Sequence, residues 1–144
     1  TSSASQTVDR MVDVFPPEQQ TQVRVQLSNS LVAVLCQCLV PKANPKPGEF
    51  GRVMAQEIMV VTPAISNLIR EGKTAQIYGS IQTGGRLAMQ TLERVLADLY
   101  QAGTISFDSA MSKTSRPEEL QRILEGGPKG AGATQQATAA GRRR

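Results

Sequence analysis

The side chains able to do chemistry in this chain are few, and their spacing rules out several kinds of it. Its 144 residues include no histidine, so neither a serine triad nor imidazole acid–base catalysis can be assembled. Cys36 and Cys38 stand two apart in an apolar run, and on a strand they would share one face. Cysteines so placed are poorly disposed to bridge each other, and two sulfurs without a histidine cannot complete a four-ligand zinc site. No sequence neighbour would stabilise either as a thiolate nucleophile; buried, reduced thiols are expected, as in a cytoplasmic chain. A phosphate-binding loop needs G-x-x-x-x-G-K-[ST], so that backbone amides wrap the phosphates, the lysine reaches the outer ones and the hydroxyl holds Mg²⁺. Nothing here matches. Gly126-Gly127-Pro128-Lys129-Gly130 lacks Ser or Thr after its lysine and follows no strand. Two groups are left. Glu57, if buried, needs Arg52 or a backbone donor as partner, because an unpaired buried carboxylate is costly. Arg10, beside Asp9 and three positions from Asp13, reads from the residues alone as part of a solvated face with local ion pairs.

The element with the sharpest sequence definition is a two-turn helix at residues 64–71. Thr62 suits the N-cap, Pro63 the first helical position and Gly72 the left-handed exit. At 100° per residue, Ala64, Ile65, Leu68 and Ile69 share one arc, and Ser66, Asn67, Arg70 and Glu71 fill the opposite one. So short a helix is unstable alone and must dock its apolar side on something larger. Upstream, Ala4, Val8, Met11, Val12 and Phe15 follow helical spacing until Pro16-Pro17 stops it. A second helix is expected from Pro17, with Glu18 in its first turn and Val23, Leu27 and Leu31 along its buried side. Leu31 to Val40 reads as a buried strand and Phe50 to Val61 as a second, separated by a loop that Pro41, Pro45, Pro47 and Gly48 enforce. Downstream the pattern is helical. Ala75, Tyr78 and Ile81 continue it, and Leu92, Val95, Leu96 and Leu99 form a stripe ending at Gly103. Ser106 suits the cap of a short helix to Met111, and Ser115 with Glu118 forms a capping box for a last helix through Leu124. The Gly/Ala/Gln/Thr-rich segment 125–144 is expected to be a disordered tail.

Composition narrows the partners. Hydrophobic residues make up 40% of the chain, with no Trp, three Phe and two Tyr, so the core must be aliphatic. Net charge is +4, and most of it sits in the tail, at Lys129, Arg142, Arg143 and Arg144. The rest of the chain lacks the basic stripe of a folded nucleic-acid binder, and its scarce aromatics offer no stacking platform. The three terminal arginines would give at most weak, salt-dependent attraction. The longest apolar stretch is too short to span a bilayer.

Several segments, in order, resemble one family. Ala64-Ile65-Ser66-Asn67-Leu68-Ile69-Arg70-Glu71 is similar to the A-I-R-N-L-I-R-E signature of the type IV pilus retraction ATPases, the PilT family of the hexameric secretion-ATPase superfamily. Thr7-Val8-Asp9-Arg10-Met11-Val12-Asp13-Val14-Phe15-Pro16 resembles its T-I-D-R-I-I-D-x-F-P segment, and Gly51-Arg52-Val53 with Glu57-Ile58-Met59 its G-R-x-A-x-E-I-M strand. Tyr78 to Gln82, Thr83-Gly84-Gly85 and Met89-Gln90-Thr91-Leu92 resemble its Y-x-x-I-Q-T-G-x-x-x-x-M-Q-T-L run. Ser66 replaces the signature's usual Arg, Cys38 follows Gln37 where a basic residue is common, and Gln56 stands where a His often precedes the strand Glu.

The resemblance implies an α/β fold, the C-terminal part of a RecA-like P-loop ATPase domain, with two strands, about seven helices and a mostly helical chain after residue 62. It divides the chain into the end of the ATPase core (1–61), a C-terminal helical region (62–124) and the tail (125–144). Thr1-Ser2-Ser3-Ala4 resembles the residues after the histidine of the family's His box, which implies a longer reading frame with the Walker motifs upstream. The implied parent is a homohexamer using ATP and Mg²⁺ to disassemble pili in twitching motility. It would work in the cytoplasm against an inner-membrane platform protein, associating with the membrane only through partners and binding no nucleic acid. This chain alone would bind no cofactor or metal and be catalytically inert. The resemblance places Arg10 near the closing edge of the nucleotide pocket and gives residues 64–71 a role in retraction. The alternative is a stand-alone helical interaction module without ATPase activity.

Overall fold

The computed structural model describes residues 3–126. In chain order these form α1 (Ala4–Asp13), α2 (Pro17–Ser30), β1 (Ala33–Pro41), β2 (Arg52–Val60), α3 (Pro63–Arg70), α4 (Ile77–Thr83), α5 (Leu92–Gln101), α6 (Phe107–Lys113) and α7 (Pro117–Leu124), with short 3-10 turns at Thr74–Gln76 and Gly85–Leu87. The expected tail beyond residue 126, with its glycine-rich segment and terminal arginines, lies outside the described residues, as do Thr1 and Ser2.

β1 and β2 pair as an antiparallel hairpin in continuous register from Ala33↔Val60 to Pro41↔Arg52. Period-two alternation puts Val34, Cys36 and Val40 of β1, with Ala55, Glu57 and Met59 of β2, on the face that the helices cover. Both cysteines are free; Cys36 is buried and Cys38 partly so. The ribbon departs from the fully buried strand expected at residues 31–40. Leu35 is 68% and Leu39 53% exposed, because the described helices cover one face only, as antiparallel ribbons permit. A backbone bridge between Ile58 and Gln90 extends the far edge of β2.

The inward face of the ribbon serves two separate apolar cores. One gathers Ala4 and Val8 of α1, Val34, Cys36, Met59, Ile65 and Ile69 of α3, Ile77, Ile81 and Met89. The other gathers Val40, Ala55, Leu92, Leu96 and Ala97 of α5, Ile105, Ala110 of α6 and Leu120 of α7. The Leu92–Leu99 stripe and its exit at Gly103, with φ +71°, form as the pattern requires. Ser106 caps α6 by accepting from the Ser109 amide.

Four further expectations need correction. Val23, Leu27 and Leu31 of the second helix are only half-buried, and Ser28 is its buried residue, because α3 approaches α2 through a polar contact described below. Phe15 lies beyond the end of α1, immediately before Pro16, and is exposed rather than on the helix stripe. Ala75 points to solvent, and the buried residues of that stretch are Ile77, Tyr78 and Ile81. Ser115 does not cap α7: Pro117 takes the first helical position, so Arg116 becomes the N-cap residue, and its amide is bound by the Thr114 hydroxyl instead.

Candidate functional site

α3 is built as its sequence specifies. The Thr62 hydroxyl accepts from the Ile65 amide at 3.3 Å, and Pro63 opens the helix without needing a donor. At the other end the Lys73 amide donates to the Leu68 carbonyl (2.8 Å) and the Gly72 amide to the Ile69 carbonyl (3.1 Å). These are the paired bonds of a Schellman exit, which requires the left-handed φ of +71° at Gly72. Such firm ends matter because eight residues are too few to hold a helix by propensity.

The apolar arc docks as expected at its centre. Ile65 and Ile69 are fully buried, Leu68 is partly buried against the same core, and Ala64 is exposed at the margin. Ser66, placed by periodicity on the solvent arc, instead donates its hydroxyl to the Ser28 carbonyl of α2 at 2.6 Å. A long side chain at Ser66 could not make this short link. Nothing in the sequence signals the pairing, since it depends on where α2 lies.

Asn67, Arg70 and Glu71 remain on the exposed side. The Asn67 amide donates to one Glu71 oxygen at 3.2 Å, and Lys73 approaches the other at 2.7 Å. These contacts hold the Glu71 carboxyl below its ordinary 4.5, the Lys73 hydrogen bond and charge first, with Arg70 a lesser contributor. Arg70 reaches back to the Asn29 side chain of α2 at 3.5 Å, a long and weak contact. The result is a polar face whose side chains are tethered but not buried, on a helix anchored from beneath. The Arg24 guanidinium of α2 lies over Gly72 and leaves its Nη1 buried without a hydrogen-bond acceptor.

Arg10 projects from α1 at the rim of a groove of about 660 Å³ between α1 and α2, walled by Met11, Val14, Phe15, Val23 and Leu27. It is exposed, and among the described residues it takes no hydrogen bond or ion pair, so the local pairing with Asp9 or Asp13 does not form. Arg10 and the polar face of α3 therefore relate through α2, whose Val23, Gln26 and Leu27 face the groove while Ser28 and Asn29 hold α3.

Glu57 takes the backbone alternative rather than Arg52. Its Oε1 accepts from the Ala4 amide at 2.7 Å and its Oε2 from the Leu92 amide at 3.4 Å. Burial pushes its carboxyl above the ordinary 4.5, with these two donors opposing. A second buried acid escaped the sequence reading: Glu93, on the inward side of α5, accepts from the Tyr78 hydroxyl at 3.1 Å and from Thr114 at 2.7 Å. The Arg116 guanidinium stacks over the Tyr78 ring at 4.2 Å. Both acids are almost fully buried among the described residues.

No protein-family model matches the sequence. Individual relatives do. The chain is 52% identical over 120 residues to the type IV pilus retraction ATPase PilT of Pseudomonas aeruginosa, a match covering 83% of this chain and 33% of that protein. It is 40% identical over 120 residues to a twitching motility protein of Neisseria gonorrhoeae, covering 83% of this chain and 31% of that one. Among solved structures, the crystal structure of the pilus retraction motor PilT with bound ADP superposes with a TM-score of 0.72 at 41% identity, over 85% of this chain and 32% of that chain. The chain thus spans about a third of the length of these relatives. The α/β fold agrees with these matches, and the chain corresponds to the C-terminal part of the pilus retraction ATPases of the PilT family.

Proposed function

We propose that this chain is the C-terminal portion of a homohexameric type IV pilus retraction ATPase, and that α3 is the element that couples its nucleotide cycle to movement. The observation that carries the reading is the construction of α3. A helix of eight residues is capped at both ends, bolted down by Ile65, Ile69 and the Ser66–Ser28 bond, and left with Asn67, Arg70 and Glu71 facing outward. Fixed ends and a buried underside make a rigid lever; the tethered polar face is free to exchange its partners as a neighbouring surface moves. Ala64, Ile65, Leu68 and Ile69 are the seating of this lever, and Asn67, Arg70 and Glu71 its working surface.

ATP and Mg²⁺ would be held by the parent's phosphate-binding loop and acidic residues, for which this sequence has no counterpart. Nucleotide use in the family is supported by the ADP in the related retraction motor. Arg10 is the residue of this chain that would meet that nucleotide pocket, a reading supported by its exposed guanidinium, uncommitted among the described residues. The working site would be the cytoplasmic face of the inner membrane, against the pilus platform protein, with membrane attachment only through partners and no role in binding nucleic acid. No helix among the described residues is long and apolar enough to cross a membrane.

Arg70→Ala in the complete protein tests this. Arg70 contributes only a long contact to Asn29, so the fold and ATP hydrolysis should survive while twitching is lost. Normal twitching by that variant would refute the assignment of α3.

A further inference from the structure

Between the two apolar cores the ribbon carries a carboxylate where an apolar residue would join them. Ala55, Glu57 and Met59 lie in succession on the inward face of β2. Ala55 belongs to the core of α5–α7, Met59 to the core of α1, α3 and α4, and Glu57, 2% exposed, separates them. The contacts across this boundary are polar. Glu57 takes one bond from the first residue of α1 and one from the first residue of α5. Tyr78 of α4 donates to Glu93 of α5, beneath the Arg116 guanidinium. Gln82 of α4 donates to Glu119 of α7 at 2.6 Å.

Continuous apolar packing resists relative motion because sliding opens voids, whereas a few discrete hydrogen bonds can break and re-form between two arrangements. We propose that this boundary is a hinge between two cooperative units, one formed by α1, α3 and α4 and the other by α5, α6 and α7. Glu57 is the pivot that keeps the starts of α1 and α5 together, and the Tyr78–Glu93 bond is the latch. The inference is independent of the pilus reading, because it concerns how this fold divides. Its consequence is mechanical: α1 and α5 start from one carboxylate on the ribbon they share, and the α3 lever belongs to the first unit only.

Amide hydrogen exchange resolved by NMR on the whole chain tests the division. Ile105→Val trims the core of the second unit and Ile69→Val that of the first; both are mild enough to leave the fold intact. Each should speed exchange about two- to tenfold in its own unit. The other unit should stay close to wild-type rates. Tyr78→Phe, which removes only the latch hydroxyl, should accelerate amides near Thr91–Glu93 while those of Val12 and Leu96 keep their protection. Glu57→Gln, which keeps a single carbonyl acceptor, should release one of the Ala4 and Leu92 amides and leave the other bound. Equal acceleration of both units by Ile105→Val, or a uniform fall in protection with Tyr78→Phe, would show a single cooperative core and overturn the hinge.

Discussion

Replacing Glu57 by Gln gives the most searching test of the energetics, because it removes a charge while keeping shape. In the native chain two carboxylate oxygens serve two amides, at 2.7 Å from Ala4 and 3.4 Å from Leu92. Hydrogen bonds to a charged group contribute about 1.5–3 kcal/mol each, and the longer of these belongs at or below the lower end. Glutamine keeps one carbonyl acceptor and presents an NH₂ to the other amide, so one of the two bonds is lost. Against this, the variant no longer holds a desolvated charge, whose effective cost is on the order of several kcal/mol per buried ion even after the surroundings relax. The net loss near neutral pH should therefore be small, about 0–2 kcal/mol.

The pH dependence separates the two effects. Burial raises the folded-state value of Glu57 above 4.5, the nearby Glu93 of α5 adds to the rise, and the two backbone donors and Arg116 oppose it. The folded chain then takes up its proton at higher pH than the unfolded chain. By linkage, the contribution of Glu57 to stability grows as pH falls through the folded value and is complete below the unfolded one. It is lost as pH rises through that window. Urea unfolding of the wild type and Glu57→Gln, in steps from pH 7 to pH 4, should show the wild type gaining on the variant as pH falls. A constant difference across that range, or one of opposite slope, would refute the claim that desolvation outweighs the two donors.

Other outcomes follow from α3 and can be read by thermal or urea unfolding. Thr62→Ala removes the cap to the Ile65 amide and should cost about 1 kcal/mol. Gly72→Ala must hold φ +71°, a penalty of roughly 1–2 kcal/mol for a residue with a Cβ; the new methyl would meet Arg24 at ordinary contact distance, so strain rather than collision sets the loss. Leu68→Asp should destabilise markedly by placing a carboxylate against the first core. Ala64→Asp, at an exposed position, should change stability by no more than about 0.5 kcal/mol. Equal losses from Leu68→Asp and Ala64→Asp would contradict the described seating of the helix.

What the chain order alone determines is largest where the physics is local. The ends of α3 follow from Thr62, Pro63 and Gly72, since a hydroxyl cap, a fixed φ and a left-handed exit act within a few residues. The stripe of α5 follows from 3.6-residue periodicity, and the existence of two strands from apolar runs about a proline-rich loop, whereas their pairing as a hairpin with one exposed face does not. The shared face of Cys36 and Cys38 follows from the two-residue repeat of a strand. Tertiary structure decided the rest. Ser66 lies on the polar arc by periodicity, yet it reaches a carbonyl 38 residues away because α2 packs there. Glu93 belongs to an amphipathic helix and is buried only because Tyr78 and Thr114 converge on it. No local rule makes Glu57 the divider of two cores, for its donors come from 53 residues before it and 35 after it. Apolar periodicity is written along one segment, whereas the partner of a buried polar group is set by where distant segments meet.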